Sequence, residues 1–271
     1  MSKQERDYVL GTHDAEMERL GIQHYIWRPH MLECWRKAGI STGHKVLDIG
    51  AGPGYASFDL VDIVGRTGEV FGVERSARFI KYLRKTNEHR KQNVEVVEMD
   101  LMTDDIPKDG FDFSWCRWVN IFVNSPKTLI QKNHKALKKG GLAIFHEYGH
   151  YESLKALPAS PLLEEFVQHT FDAWRSTGGE PNVAIDLPSI LVEEGFAIEW
   201  VKPLVFVINK KDFMWQWPMT YIDINLDRLQ EINQITPEWA AKMRAEAKAI
   251  DENPNAFFIT PMVLEIVARK L

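Results

Sequence analysis

The sequence predicts an α/β fold, a doubly wound and mostly parallel seven-stranded sheet with helical cap segments. Three observations carry that prediction. Short apolar runs alternate with helical stretches between residues 45 and 148. The first run, "VLDIGAGPG" (46–54), opens into glycines at alternate positions. Two longer apolar runs, 196–208 and 256–269, close the chain. Strand–helix alternation of this kind gives parallel strands joined by crossover helices on both faces of one sheet.

The elements follow in order. Residues 14–39 place Met17, Leu20, Tyr25, Met31, Leu32 and Trp35 on one helical face, with Pro29 expected to interrupt the helix. Strands are expected at "KVLDIG" (45–50), "EVFGVE" (69–74), "VEVVEMD" (94–100), "FDFSWCRW" (111–118) and "GLAIFHEY" (141–148). The helix over 76–91 carries Phe79, Ile80 and Leu83 on one side. The helix over 126–138 starts with Ser125 as cap and Pro126 in its first turn, and stops at Lys138-Lys139-Gly140. After residue 150 the rhythm changes. An amphipathic helix spans 161–175 behind Ser160-Pro161, and "LPSILVEEGF" is a short helix ended by Gly195. Between the two closing strands lie 47 residues, rich in Trp, Met and helix formers, a length that implies structure of its own. The expected organisation is a helical cap (1–40), an α/β core (41–150), and a C-terminal part (151–271) with cap insertions at 151–190 and 209–255.

Composition narrows the function. A net charge of −5, from 33 Lys+Arg against 38 Asp+Glu, is the wrong sign for gripping a nucleic-acid backbone. Two cysteines, Cys34 and Cys116, give no disulfide framework and fit a reducing cytoplasm with both thiols buried. The first twenty residues lack the apolar stretch of a signal peptide, and no run reaches transmembrane length. The expected setting is cytoplasmic, without membrane insertion or nucleic acid. The oligomeric state stays open, a homodimer included.

The glycine turn is the most informative stretch. A dinucleotide fingerprint, G-x-G-x-x-G, would need its last glycine at position 55, where Tyr55 stands. Asp48-Ile49-Gly50-Ala51-Gly52-Pro53-Gly54 instead strongly resembles the S-adenosylmethionine loop of class I methyltransferases, acidic-x-G-x-G-x-G. That resemblance runs from about 40 to 150 and implies a Rossmann-like methyltransferase fold with S-adenosyl-L-methionine as cofactor. By the same resemblance, Asp48, Gly50, Ala51, Gly52 and Gly54 form the loop, and Glu74, with Arg75 beside it, receives the ribose hydroxyls. Asp100 takes the adenine amino group and Leu101 packs on the ring. Arg117 and Trp118 lie near the methionine part. "MERLGIQHYIW" and "VGRTGEVFGVERS" are similar to small-molecule methyltransferases of the ubiquinone and menaquinone type. The N/D-P-P-Y/F string of enzymes that methylate DNA bases or protein glutamine is absent; the chain reads "CRWVNIF".

One string points elsewhere. "HEYGH" (146–150) matches the zinc-protease pattern H-E-x-x-H, which needs a helix to bring both histidines to one face. The segment reads as a strand broken at Gly149, with no third ligand signalled nearby, so a protease is not expected and no metal is expected. His146 and Glu147 are the candidate catalytic residues, with His150, His24 and His30 as further bases. The stripe "FMWQWPMTY" (213–221) reads as core, or as the wall of a pocket for an apolar or aromatic substrate. The function expected is methyl transfer to such a small metabolite. The alternatives are a non-catalytic cofactor-binding protein and an NAD(P)-dependent Rossmann oxidoreductase.

Overall fold

A computed structural model describes residues 14–90 and 94–271; the part of the expected N-terminal cap at 1–13 lies outside the described residues. The strands are β1 (Lys45–Ile49), β2 (Glu69–Glu74), β3 (Val94–Glu98), β4 (Phe111–Arg117), β5 (Leu137–His150), β6 (Lys155–Leu157), β7 (Phe196–Leu204), β8 (Val207–Asn209), β9 (Phe257–Ile259) and β10 (Met262–Lys270). The helices are α1 (Asp14–Ala38), α2 (Tyr55–Val64), α3 (Ala77–Arg90), α4 (Pro126–Ala136), α5 (Pro161–Ser176), α6 (Leu187–Glu193), α7 (Gln216–Glu231) and α8 (Pro237–Glu252).

Seven strands form one sheet in the order β3-β2-β1-β4-β5-β10-β7. The first five are parallel, and β10 is antiparallel to both β5 and β7. Successive residues of each central strand enter different cores. Val46, Val70, Trp115 and Ile144 pack with Met31, Cys34 and Trp35 of α1, whereas Leu47, Phe71, Cys116 and Phe145 pack with residues of α4, α5 and α6. A sheet covered on both faces needs apolar side chains on both, which is why these strands read as continuous apolar runs.

Ser125 and Ser160 cap α4 and α5 as expected, each side chain accepting from the N–H three residues on, with proline in the first turn. Three expectations are corrected. Pro29 does not interrupt α1, which runs unbroken through it. The carbonyl its missing N–H leaves unpaired belongs to Tyr25, at a solvent-facing position (65% exposed), where water can bond it. The helix expected to reach 138 ends at Ala136, because Leu137 already pairs with Phe111 in the sheet. Each closing run is two strands. The second breaks at Thr260-Pro261, where Pro261 has no N–H to donate to a ladder. Thr260 and Phe206 bond reciprocally there, Thr260 N to Phe206 O at 2.9 Å and Phe206 N to Thr260 Oγ1 at 3.0 Å. The pieces β6, β9 and β8 form a separate antiparallel sheet. The 209–255 insertion is helical, and α7 packs on α1.

Candidate active site

The carboxyl ends of β1, β2, β3 and β4 converge on the glycine turn. Gly50 and Gly52 both have left-handed backbones, φ 69° and 56°. A Cβ on Gly50 would meet Val119 at 2.3 Å, whereas one on Gly52 would have nothing within 4 Å. Gly50 is therefore a packing constraint, and Gly52 leaves main chain open to a ligand. Ala51 is buried against Gly72, and Gly54 leads into α2. Asp48 lies under the turn, 2% exposed, with Oδ2 accepting from Ser57 Oγ at 2.5 Å. Burial pushes its carboxyl up to about 6, against the pull of Ser57 and the Arg117 charge.

Glu74 ends β2 with its carboxylate locked in place. Oε2 accepts from Gly52 N at 2.9 Å, and Oε1 from Arg75 N and Ser76 N at 2.8 and 2.7 Å. Burial raises its pKa while those amides oppose the rise. The Arg75 side chain is exposed. Asp100 follows β3 and accepts from Met102 N at 2.9 Å, and Leu101 is buried beside it.

At the end of β4, Arg117 Nη2 donates to His24 Nδ1 at 3.2 Å, and its guanidinium lies 5.1 Å from the Trp118 ring centre. Burial pushes its pKa down to about 10, with the charges of Asp48 and Asp59 opposing. It forms no ion pair with a carboxylate among the described residues. The bond from Arg117 leaves His24 Nε2 to donate to Asp59 Oδ2 at 3.1 Å, and Arg28 Nε donates to the same carboxylate at 2.8 and 3.0 Å. Burial, more than any other cause, lowers the His24 pKa and keeps it neutral. α1 is thereby tied to both α2 and the end of β4.

Trp118 has φ 54°, a left-handed backbone that costs an ordinary L-residue about 1–2 kcal/mol. The turn re-aims its ring. Trp118 stacks on Tyr148 (5.6 Å between ring centres), and Tyr148 stacks in turn with Trp174 (6.3 Å) and Trp217 (6.4 Å). A small cavity lies between Tyr148, Tyr151, Trp217 and Tyr221. The 213–221 stripe is thus both core and wall: Trp215 packs on Phe258, while Trp217 and Tyr221 line the cavity. A groove of about 570 Å³ lies at the opposite, amino-terminal edge of the sheet among Lys45, Glu69, Lys108 and Lys132, away from these strand ends.

"HEYGH" lies at the end of the strand β5, as expected, but Gly149 does not break it: the strand runs on to His150, and only the register against β10 shifts there. His146 and Glu147, the two expected catalytic residues, are both fully buried. His146 Nε2 lies 3.3 Å from Glu265 Oε2, and burial lowers its pKa. Glu147 Oε1 accepts from Val119 N and Asn120 N, both at 2.9 Å, and from Asn120 Nδ2 at 3.1 Å. Burial pushes its pKa up to about 7. Glu147 therefore ties down the turn after β4. His150 is exposed and pairs with Glu152, and His30 is half-buried against Phe206. Sequence reasoning missed Asp59 and Glu265; each meets its partner from a distant element, with no local signal to mark it.

Comparison with known proteins bears on the fold and the domain. Residues 46–141 match the family described as a methyltransferase domain. With its sheet order and glycine turn, the chain resembles the class I S-adenosylmethionine-dependent methyltransferases. It is 29% identical over 131 residues to a demethylmenaquinone methyltransferase of Lactococcus lactis, covering 47% of this chain and 50% of that protein. The chain thus spans about half the length of the curated relatives it resembles. A solved S-adenosylmethionine-dependent methyltransferase from Mesorhizobium loti superposes with TM-score 0.54 at 18% identity, over 92% of this chain and all of that one. A Haemonchus contortus phosphoethanolamine N-methyltransferase in complex with S-adenosyl-L-methionine gives 0.55 at 18%, over 93% of this chain and 57% of that one. At these identities the two structures share the fold with this chain. Among the described residues no helix is long and apolar enough to cross a membrane.

Proposed function

We propose that the protein transfers a methyl group from S-adenosyl-L-methionine to a small acceptor with a flat apolar or aromatic body. The observation that carries this reading is the gathering, at four neighbouring strand ends, of an open left-handed glycine, two carboxylates and a guanidinium without a carboxylate partner. S-adenosylmethionine supplies an electrophilic methyl on a sulfonium. Glu74, its orientation set by three amides, accepts the ribose hydroxyls. Asp100 accepts the adenine amino group, with Leu101 against the ring. Arg117 takes the carboxylate of the methionine part, a direct partner that no carboxylate among the described residues supplies.

The acceptor belongs in the aromatic chamber of Trp118, Tyr148, Trp174 and Trp217, which begins where β4 and β5 end. Aromatic walls hold a flat ring by stacking and exclude water from the reacting atoms. The acceptor atom forms a bond to the methyl carbon as the carbon–sulfur bond breaks. Holding the partners in line supplies much of the acceleration. The demethylmenaquinone methyltransferase likeness supports an aromatic, quinol-like acceptor. We assign His146 and Glu147 positioning roles, because both are buried and bonded to protein: Glu147 shapes the turn carrying Trp118, and His146 anchors the strand end under α1.

The test is calorimetric titration with S-adenosylhomocysteine and with NAD, then turnover over aromatic acceptors. Micromolar binding of the first alone, with transfer to a ring-bearing acceptor, is the expected result. No binding of S-adenosylhomocysteine overturns the reading. Binding without turnover would favour a non-catalytic member.

A further inference from the structure

We propose that Cys34, His146 and Glu265 form a zinc site that fastens α1 to the sheet. The three residues come from α1, β5 and β10, far apart in sequence. One ligand atom from each lies within 4.8 Å of the other two, and the residues are 1%, 0% and 2% exposed. Four-coordinate zinc, with bonds of about 2.0–2.3 Å, holds its ligands about 3.3–3.6 Å apart. His146 Nε2 and Glu265 Oε2 are already 3.3 Å apart, and closing the gaps to Cys34 by up to about 1 Å lies within the reach of side-chain rotation.

Charge favours an ion there. Glu265 is buried, and its bonded neighbours are neutral donors: the His146 imidazole at 3.3 Å and the Trp200 indole N–H at 2.8 Å. A Cys34 thiolate and the Glu265 carboxylate would balance a divalent cation, with the thiol proton released to solvent. Thiolate, imidazole and carboxylate together select zinc over magnesium or calcium, which prefer all-oxygen shells. The Trp115 and Trp27 rings, 4.9 and 6.3 Å from His146, close the site off, as suits a structural metal. The protease pattern plays no part, since Glu147 is bonded to the turn after β4 and His150 points to Glu152.

The experiment strips the full-length protein with chelator and titrates it with cobalt(II), followed by zinc. The expected result is one cobalt per chain, with a thiolate-to-cobalt band and the intense visible bands of tetrahedral cobalt, all lost on adding one equivalent of zinc. Cys34→Ser removes the thiolate band and Cys116→Ser keeps it. Glu265→Gln, which also serves if Cys34→Ser fails to fold by circular dichroism, weakens binding at least about tenfold. A wild-type protein without these bands, or bands that survive Cys34→Ser, overturns the proposal. The readout uses neither cofactor nor acceptor, so its failure and that of the proposed methyl transfer are separable.

Discussion

Asp48 carries a free-energy cost that a single substitution should release. Its carboxyl titrates near 3.8 in an unfolded chain and near about 6 in the folded protein, because burial disfavours the anion. The folded pKa lies above the unfolded value, so the folded chain holds the proton more tightly. The stability this gives is full below about pH 3.8 and is lost as pH rises through about 6. A difference of roughly two units at about 1.4 kcal/mol each comes to about 3 kcal/mol lost at neutral pH. Asp48→Asn keeps the volume and an oxygen for Ser57 Oγ, but has no charge to desolvate. Measured by urea unfolding with tryptophan fluorescence, the variant should gain up to about 3 kcal/mol over wild type near neutral pH, a gain that shrinks to nothing by about pH 4. The same variant should bind S-adenosylhomocysteine less well, a trade of stability for function at a binding site. A variant less stable than wild type at neutral pH, or a gain that does not change with pH, refutes the reasoning.

Three further outcomes follow from the site. Glu74→Gln should weaken S-adenosylhomocysteine about tenfold or more by calorimetry, since a charged acceptor for two hydroxyls is lost; an unchanged Kd removes Glu74 from the ribose. Arg117→Met should cost roughly 10- to 100-fold in the same titration, the worth of a charged hydrogen bond, yet leave adenosine binding alone; equal losses for both ligands would detach Arg117 from the methionine carboxylate. Glu147→Gln, whose amide oxygen can still accept from Val119 and Asn120, should keep most activity, whereas Glu147→Ala should unfold more readily, by about 2–5 kcal/mol. A stable Glu147→Gln protein without activity would make Glu147 the catalytic base.

The legible parts of the molecule are those whose causes are local. β1, β2, β4 and β5 could be read because a sheet covered on both faces demands unbroken apolar runs. The starts of α4 and α5 could be read because Ser-Pro satisfies the first turn from within the same few residues. β6, β8 and β9 could not, since each has three residues and gains its pairing from distant strands. Pro29 misled because the cost of a helical proline depends on whether the orphaned carbonyl reaches water, which is a tertiary fact. Within the site, the strand-end carboxylates and glycines follow a spacing visible in sequence. Arg117 and His24 are 93 residues apart, and His146 and Glu265 are 119 apart, so no local pattern signals either pair.

The end of β5 ties these points together. Three consecutive residues there serve three different neighbourhoods. His146 meets Glu265, Trp27 and Trp115; Glu147 meets the turn after β4; Tyr148 stacks on Trp118 and Trp217. A helix would have put His146 and His150 together and made a protease-like pair, whereas a strand sends successive side chains apart. On the proposed reading, the string belongs to two supports of the site rather than to one catalytic group. α1 is held at its middle by His24 and Arg28 to Asp59 and the Arg117 end, and one to three turns later by Cys34 beside His146 and Glu265. Both attachments lie on the helix that covers the strand ends. Loosening either one should therefore alter how α1 sits over the cofactor loop before it alters the loop itself.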